Sequence, residues 1–192
     1  MAKKMKSLAF YLVGPIQYVE DYMSWRRAVA DFLEELGHTA EFPWGEVYHG
    51  KEMRGEFKTW FKESSKSDWV SRVRKYMRSQ VIRYDINALL RSNGIIFYLP
   101  KGAKTVGSYG EQTLAYYLKK WRPEEKKYQD ISIFVIAEDG PEELSYWLIG
   151  CADWIFWSMD EFKEYFRKNY NRLEKRRRKI TNEKVEVPKG NS

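Results

Sequence analysis

Glu111 closes the stretch Gly107-Ser108-Tyr109-Gly110-Glu111, which follows the apolar run Gly94-Ile95-Ile96-Phe97-Tyr98-Leu99 and a short loop. A carboxylate in such a place can act as a nucleophile or a general base. The spacing sets it at the start of a helix beyond a buried strand, where open α/β sheets hold their ligands. Gly107 and Gly110 are expected to allow a tight turn and close ligand approach. The same glutamate also reads as an ordinary first-turn acid favoured by the helix dipole. Two further side chains bear on that choice. Tyr11 lies near the end of the first apolar run, and its hydroxyl either sits in the core or orients a carboxylate. Asp85 lies among Ile82, Ile86 and Leu89 on a helix leading into the Gly94 run. An acid with apolar neighbours needs a partner or a ligand, unless it faces solvent.

The elements that must position these groups alternate along the chain. Leu8–Val13 reads as a strand stopped by Gly14-Pro15, and a helix is expected over about 19–36, ended by Gly37. Thr39–Phe42 is a second strand. Residues 48–79 are polar, basic and ring-bearing; they read as a helical insertion, split near Ser64–Asp68, with Asp68 able to cap its second helix. Gln80–Arg91 continues as helix into a third strand, Gly94–Leu99. A helix over Ser108–Lys120, a strand over Ile131–Ile136, a helix over Glu142–Ile149 and a strand over Asp153–Trp157 follow. A last helix runs from Met159 to about Arg178, capped by Ser158 with Glu161. This order predicts an α/β protein, a flavodoxin-like or Rossmann-like three-layer sandwich around a five-stranded, mostly parallel sheet. It reads as one domain over 1–180 with a polar tail, 181–192.

Composition narrows the chemistry. The 192 residues carry a net charge of +7, with 17% aromatic residues. That charge suits an anionic partner such as a nucleotide, a nucleic acid or an acidic surface. Part of it lies in Lys175-Arg176-Arg177-Arg178-Lys179, which reads as a solvated helix end. Cys151 is the single cysteine, so no intrachain disulfide forms, in keeping with a cytoplasmic protein. One cysteine and two histidines, His38 and His49, argue against a Cys/His nucleophile and against a zinc site. No metal and no cofactor is expected. The Gly-x-Gly-x-x-Gly, Walker and Gly-x-Ser-x-Gly patterns are missing, which disfavours dinucleotide enzymes, P-loop enzymes and hydrolase triads. No apolar run is long enough for a membrane span, and Leu8–Val13 is too short for a signal peptide.

The order of these motifs resembles the nucleoside 2-deoxyribosyltransferases and their nucleotide N-glycosidase relatives. Phe10-Tyr11-Leu12-Val13-Gly14-Pro15 is similar to that family's opening strand. Asp85 with Ile86, Leu89 and Asn93-Gly94-Ile95-Ile96 is similar to its Asp-bearing helix and third strand, and Gly107–Glu111 to its Gly-Ser/Thr-x-x-Glu turn. The resemblance covers roughly 8–45 and 80–166. It implies that Glu111 attacks C1′ of a deoxyribose, that Tyr11 tunes Glu111, and that Asp85 meets the base and protonates its leaving nitrogen. It also implies that Gly14 and Pro15 shape the sugar floor, that Gln17 touches the base, and that Gly107, Ser108 and Tyr109 line the substrate. The chain departs from the family at Thr105, where transferases carry an aspartate, and at Asn93 in place of a second acid. With Ser108, Lys101 and Lys104 nearby, that favours a 5′-phosphate on the substrate. Family members are commonly oligomers, so a homo-oligomer is implied. Two alternatives stand beside this reading: a non-catalytic nucleotide sensor on the same fold, and, less favoured, a nucleic-acid-binding protein acting through Arg172–Lys179 and the basic residues of 51–78.

Overall fold

A computed structural model of the chain describes residues 7–16, 21–43, 58–103, 107–121, 131–140 and 144–171. Among these, five short runs, apolar except for the Thr-Ala-Glu of β2, form strands: β1 (Ala9–Val13), β2 (Thr39–Glu41), β3 (Gly94–Leu99), β4 (Ser132–Ala137) and β5 (Trp154–Phe156). All four pairings are parallel, in the order β2-β1-β3-β4-β5. The sheet expected as mostly parallel is thus wholly parallel among the described residues, and the fold is a three-layer α/β sandwich of Rossmann-like type. Parallel strands lie between helices, so they are apolar on both faces.

Alternation along each strand divides the core in two. Phe10, Leu12, Ile96, Tyr98, Phe134 and Ile136 face one layer, packed by α1 (Ser24–Glu35) and the C-terminal helix Met159–Tyr170. Tyr11, Val13, Ile95, Phe97, Ile133 and Val135 face the other. That layer is packed by α3 (Arg83–Arg91), α4 (Gly107–Trp121) and α5 (Tyr146–Cys151), which leaves α6 for the C-terminal helix. Gly94 lets strands and core close up: a Cβ there would stand 2.7 Å from the Ser132 carbonyl oxygen and 3.0 Å from the Phe10 ring.

Several element ends differ from the sequence reading. α1 begins at Ser24, because the Asp21 carboxylate accepts from the Met23 and Ser24 N–H groups and holds a turn ahead of it. Ser65, not Asp68, caps α2 (Lys66–Tyr76): its hydroxyl accepts from the Asp68 N–H at 3.2 Å. The insertion continues as helix past 79/80, as expected, but not as a plain α-helix. Instead α2 runs through a π-helical turn, Met77–Ile82, into α3. The helix expected over Glu142–Ile149 is α5, Tyr146–Cys151; residues 141–143 lie outside the described set. The last helix, expected to reach about Arg178, ends at Tyr170, with Asn171 extended. The Tyr170 carbonyl accepts instead from His38 Nε2 at 2.6 Å, while His38 Nδ1 accepts from the Leu8 N–H. Those two bonds fix a neutral histidine tautomer that ties β1 to the end of α6. Ser158 and Glu161 form the expected cap of α6, the Ser158 hydroxyl accepting from the Glu161 N–H at 3.1 Å. Cys151 is buried and its thiol pKa is raised by burial, so it stays a thiol. Among the described residues no helix is long and apolar enough to cross a membrane.

Candidate active site

In this strand order the chain reverses direction across the sheet between β1 and β3, and the carboxyl ends of those strands flank a ligand-sized crevice in such folds. Tyr11 sits on β1, fully buried, with its side chain in the α4 layer. Glu111 lies one turn into α4, not in its first turn. It therefore does not serve as a dipole-favoured terminal acid. It turns inward, and the Tyr11 hydroxyl donates to its Oε1 at 2.5 Å.

The electrostatics follow from burial. The Glu111 carboxyl is pushed up to about 7, first by desolvation and then by the negative charge of Asp85; the Tyr11 hydrogen bond and the Arg26 charge pull it back. Tyr11 is raised well above its ordinary value, again chiefly by burial, then by Glu111 and Asp85. The hydroxyl is therefore always a donor at neutral pH. Asp85, partly buried on α3, acts on Tyr11, Glu111 and Arg26 alike, which places it in the same electrostatic cluster.

Arg26 is the member that the sequence reading lacked. It is fully buried. Its Nη2 donates to the Gly14 carbonyl at 2.9 Å, its Nη1 donates to the Tyr22 carbonyl, and its guanidinium stacks 4.5 Å over the Trp25 ring. Burial lowers its pKa to about 10, with Glu111 the first of the groups that oppose the fall. It remains charged at neutral pH, one cation set against two carboxylates. A signal for it existed: Tyr22, Arg26, Val29 and Leu33 share one helical stripe, and a guanidinium on a buried stripe demands partners.

The other candidates divide. Gly14 and Pro15 are buried at the β1 exit, and Gly14 has no room for a side chain: a Cβ would meet Trp25 at 2.7 Å and the Tyr98 carbonyl oxygen at 2.8 Å. Gly107 and Gly110 do not form a turn. Both lie within α4, and a Cβ on either would meet nothing within 4 Å, so they leave open space beside the helix start. Ser108 is buried, and Tyr109 packs its ring 6.0 Å from Phe97. Asn93, where the family carries an acid, has a structural bond: its side-chain oxygen accepts from the Ala9 N–H at 2.9 Å. Lys101 is exposed. Gln17, Lys104, Thr105 and His49 lie outside the described residues. A second tyrosine–acid pair unforeseen from sequence stands at the same sheet edge, where burial and the neighbouring Glu138 carboxylate raise the Tyr98 hydroxyl pKa.

Among the described residues no group of three or more His, Cys, Asp or Glu is placed to hold a metal ion. The cluster suits acid–base and nucleophilic work by a carboxylate whose pKa lies near neutrality. No model of a known protein family matches the chain, and no curated protein matches it either.

Proposed function

We propose that the protein cleaves or exchanges the N-glycosidic bond of a 2′-deoxynucleoside or its 5′-monophosphate, as a relative of the nucleoside 2-deoxyribosyltransferases. The observation that carries this reading is the 2.5 Å hydrogen bond between Tyr11 and Glu111 at the sheet's switch point, within reach of the charge of Asp85. Ionised Glu111 attacks C1′ as the C1′–N bond breaks, through an oxocarbenium-like transition state. The base leaves with a proton, for which Asp85 is the donor when the one proton held between the two coupled carboxyls sits on Asp85 and Glu111 is ionised. Water, or a second base, then takes C1′ from the glutamate. Tyr11 and Arg26 stabilise the attacking carboxylate, while burial keeps it poorly solvated and reactive. Exposed rings on α4 and α5, Tyr117, Trp121, Tyr146 and Trp147, support a homo-oligomer. One cysteine in the chain supports a cytoplasmic setting.

The test is base release from a panel of deoxynucleosides and 5′-monophosphates, followed by chromatography, for the wild type and Glu111→Ala. The expected result is release by the wild type and none by the variant. Equal behaviour of the two rejects the reading. The raised pKa of Glu111 favours one second reading, a non-catalytic nucleotide sensor in which the neutral carboxyl donates a hydrogen bond to its ligand. Tight nucleotide binding below pH 7 without turnover would establish that reading instead.

A further inference from the structure

Far from Glu111 in sequence, the helical insertion presents a face that the glycosidic chemistry does not use. Residues 58–91 hold nine Lys or Arg against three Asp or Glu, most of the chain's excess positive charge. Along this helix runs a shallow groove of about 540 Å³, lined by Ser71, Arg74, Lys75, Arg78, Ser79 and Arg83. The spacing is that of one helical stripe about 18 Å long. The π-helical turn Met77–Ile82 matters to it: its wider i→i+5 winding brings Arg83 back under Arg78, where an unbroken α-helix would present Ile82. Among the described residues none of the four cations has a carboxylate partner. Arg74 and Arg78, four apart, repel each other. A face that keeps such repulsion is complementary to an anion.

We propose that this groove binds single-stranded nucleic acid through its phosphodiester backbone. Arginine forks and serine hydroxyls are suited to phosphate oxygens, and about 18 Å of strand presents about five phosphates. The residues that line it include no carboxylate, so nothing in the groove repels a phosphate. Tyr84, exposed beside Arg83 on the same helical run, offers a ring face on which an unpaired base stacks. This proposal stands apart from the glycosidic reading.

The experiment is fluorescence anisotropy with a labelled single-stranded oligodeoxynucleotide and the full-length protein. The wild type should bind with an affinity that falls roughly 50-fold between about 50 and about 200 mM salt, for four neutralised phosphates. The triple variant Arg74→Gln/Arg78→Gln/Arg83→Gln changes only exposed side chains, and circular dichroism checks its fold. It should bind at least tenfold more weakly, with a salt slope shallower by about 2. Glu111→Gln should bind as the wild type does. The proposal is overturned by any of four results: no binding by the wild type; unchanged binding by the triple variant; tighter binding of a matched duplex or of phosphatidylserine vesicles; or a loss seen on Arg176→Gln/Arg177→Gln/Arg178→Gln with none from the groove variant.

Discussion

The two faces of the sheet are built from alternate residues of the same strands, yet they do opposite work. The face of Phe10, Leu12 and Phe134 is packed with rings: Phe134 stacks with Trp154 at 5.1 Å and meets Phe162, Phe166 and Tyr170 within 6.1 Å. Its buried polar residue, His38, has both ring nitrogens occupied. The face of Tyr11 and Val13 carries a carboxylate in a poorly solvated place, a phenol bound to it and a second acid nearby. One face is stabilised by what it buries. The other buries a charge that costs stability, held in check by Tyr11 and by Arg26 reaching in from the sheet end. Stability and chemistry are thus separable by substitution.

The largest effect belongs to the ring face. Phe134→Ala should cost about 3–5 kcal/mol in urea unfolding and leave the pH profile of any activity where it was. A shift in that profile would mean the two faces are coupled. Tyr11→Phe should do the reverse. Loss of a hydrogen bond to a charge is worth about 1.5–3 kcal/mol, so turnover should fall about 10- to 100-fold. Because that bond lowers the Glu111 pKa, its removal should also move the acid limb of the pH–rate profile upward from about 7. An unmoved limb separates Tyr11 from Glu111.

Arg26→Met leaves two buried carbonyls, of Gly14 and Tyr22, without their donor. A loss of about 1–3 kcal/mol is expected, and the acid limb should again rise, since the Arg26 charge also lowers the Glu111 pKa. Unfolding midpoints and rates across pH check both parts. A last effect is thermal. The Glu111 pKa is raised from 4.5 to about 7 in the folded protein. Its contribution to stability is thus present below about pH 4.5 and lost as pH rises through 7. Glu111→Gln, which cannot ionise, should gain up to about ten degrees in Tm over the wild type at pH 8 and little at pH 4. An equal difference at both pH values would show that burial does not shift Glu111.

Much of this contrast was legible in the sequence. Runs such as Gly94–Leu99 and Ile131–Ile136 declare strands covered on both faces, and their alternation with helices implies the parallel order. Tyr11 and Glu111 were legible as residue types near strand exits, and Asp85 as an acid among apolar neighbours on the helix before β3. What escaped was set by contacts between distant parts of the chain. The end of α6 depends on His38 meeting Tyr170, 132 positions away. The depth of Arg26 depends on where Gly14 presents its carbonyl. The π-helical turn at Met77–Ile82 has no proline or glycine to announce it. The inward turn of Glu111 is likewise tertiary, because local sequence favoured an exposed first-turn acid.

The central claim is that Glu111 bonds covalently to the sugar. Acid-quenching the wild-type protein during turnover of a deoxynucleoside monophosphate, then mapping its peptides by mass spectrometry, tests it directly. The account predicts a deoxyribosyl phosphate adduct on the peptide carrying Glu111, missing in Glu111→Gln. Base release at full rate with no adduct, or with the adduct on another residue, contradicts it.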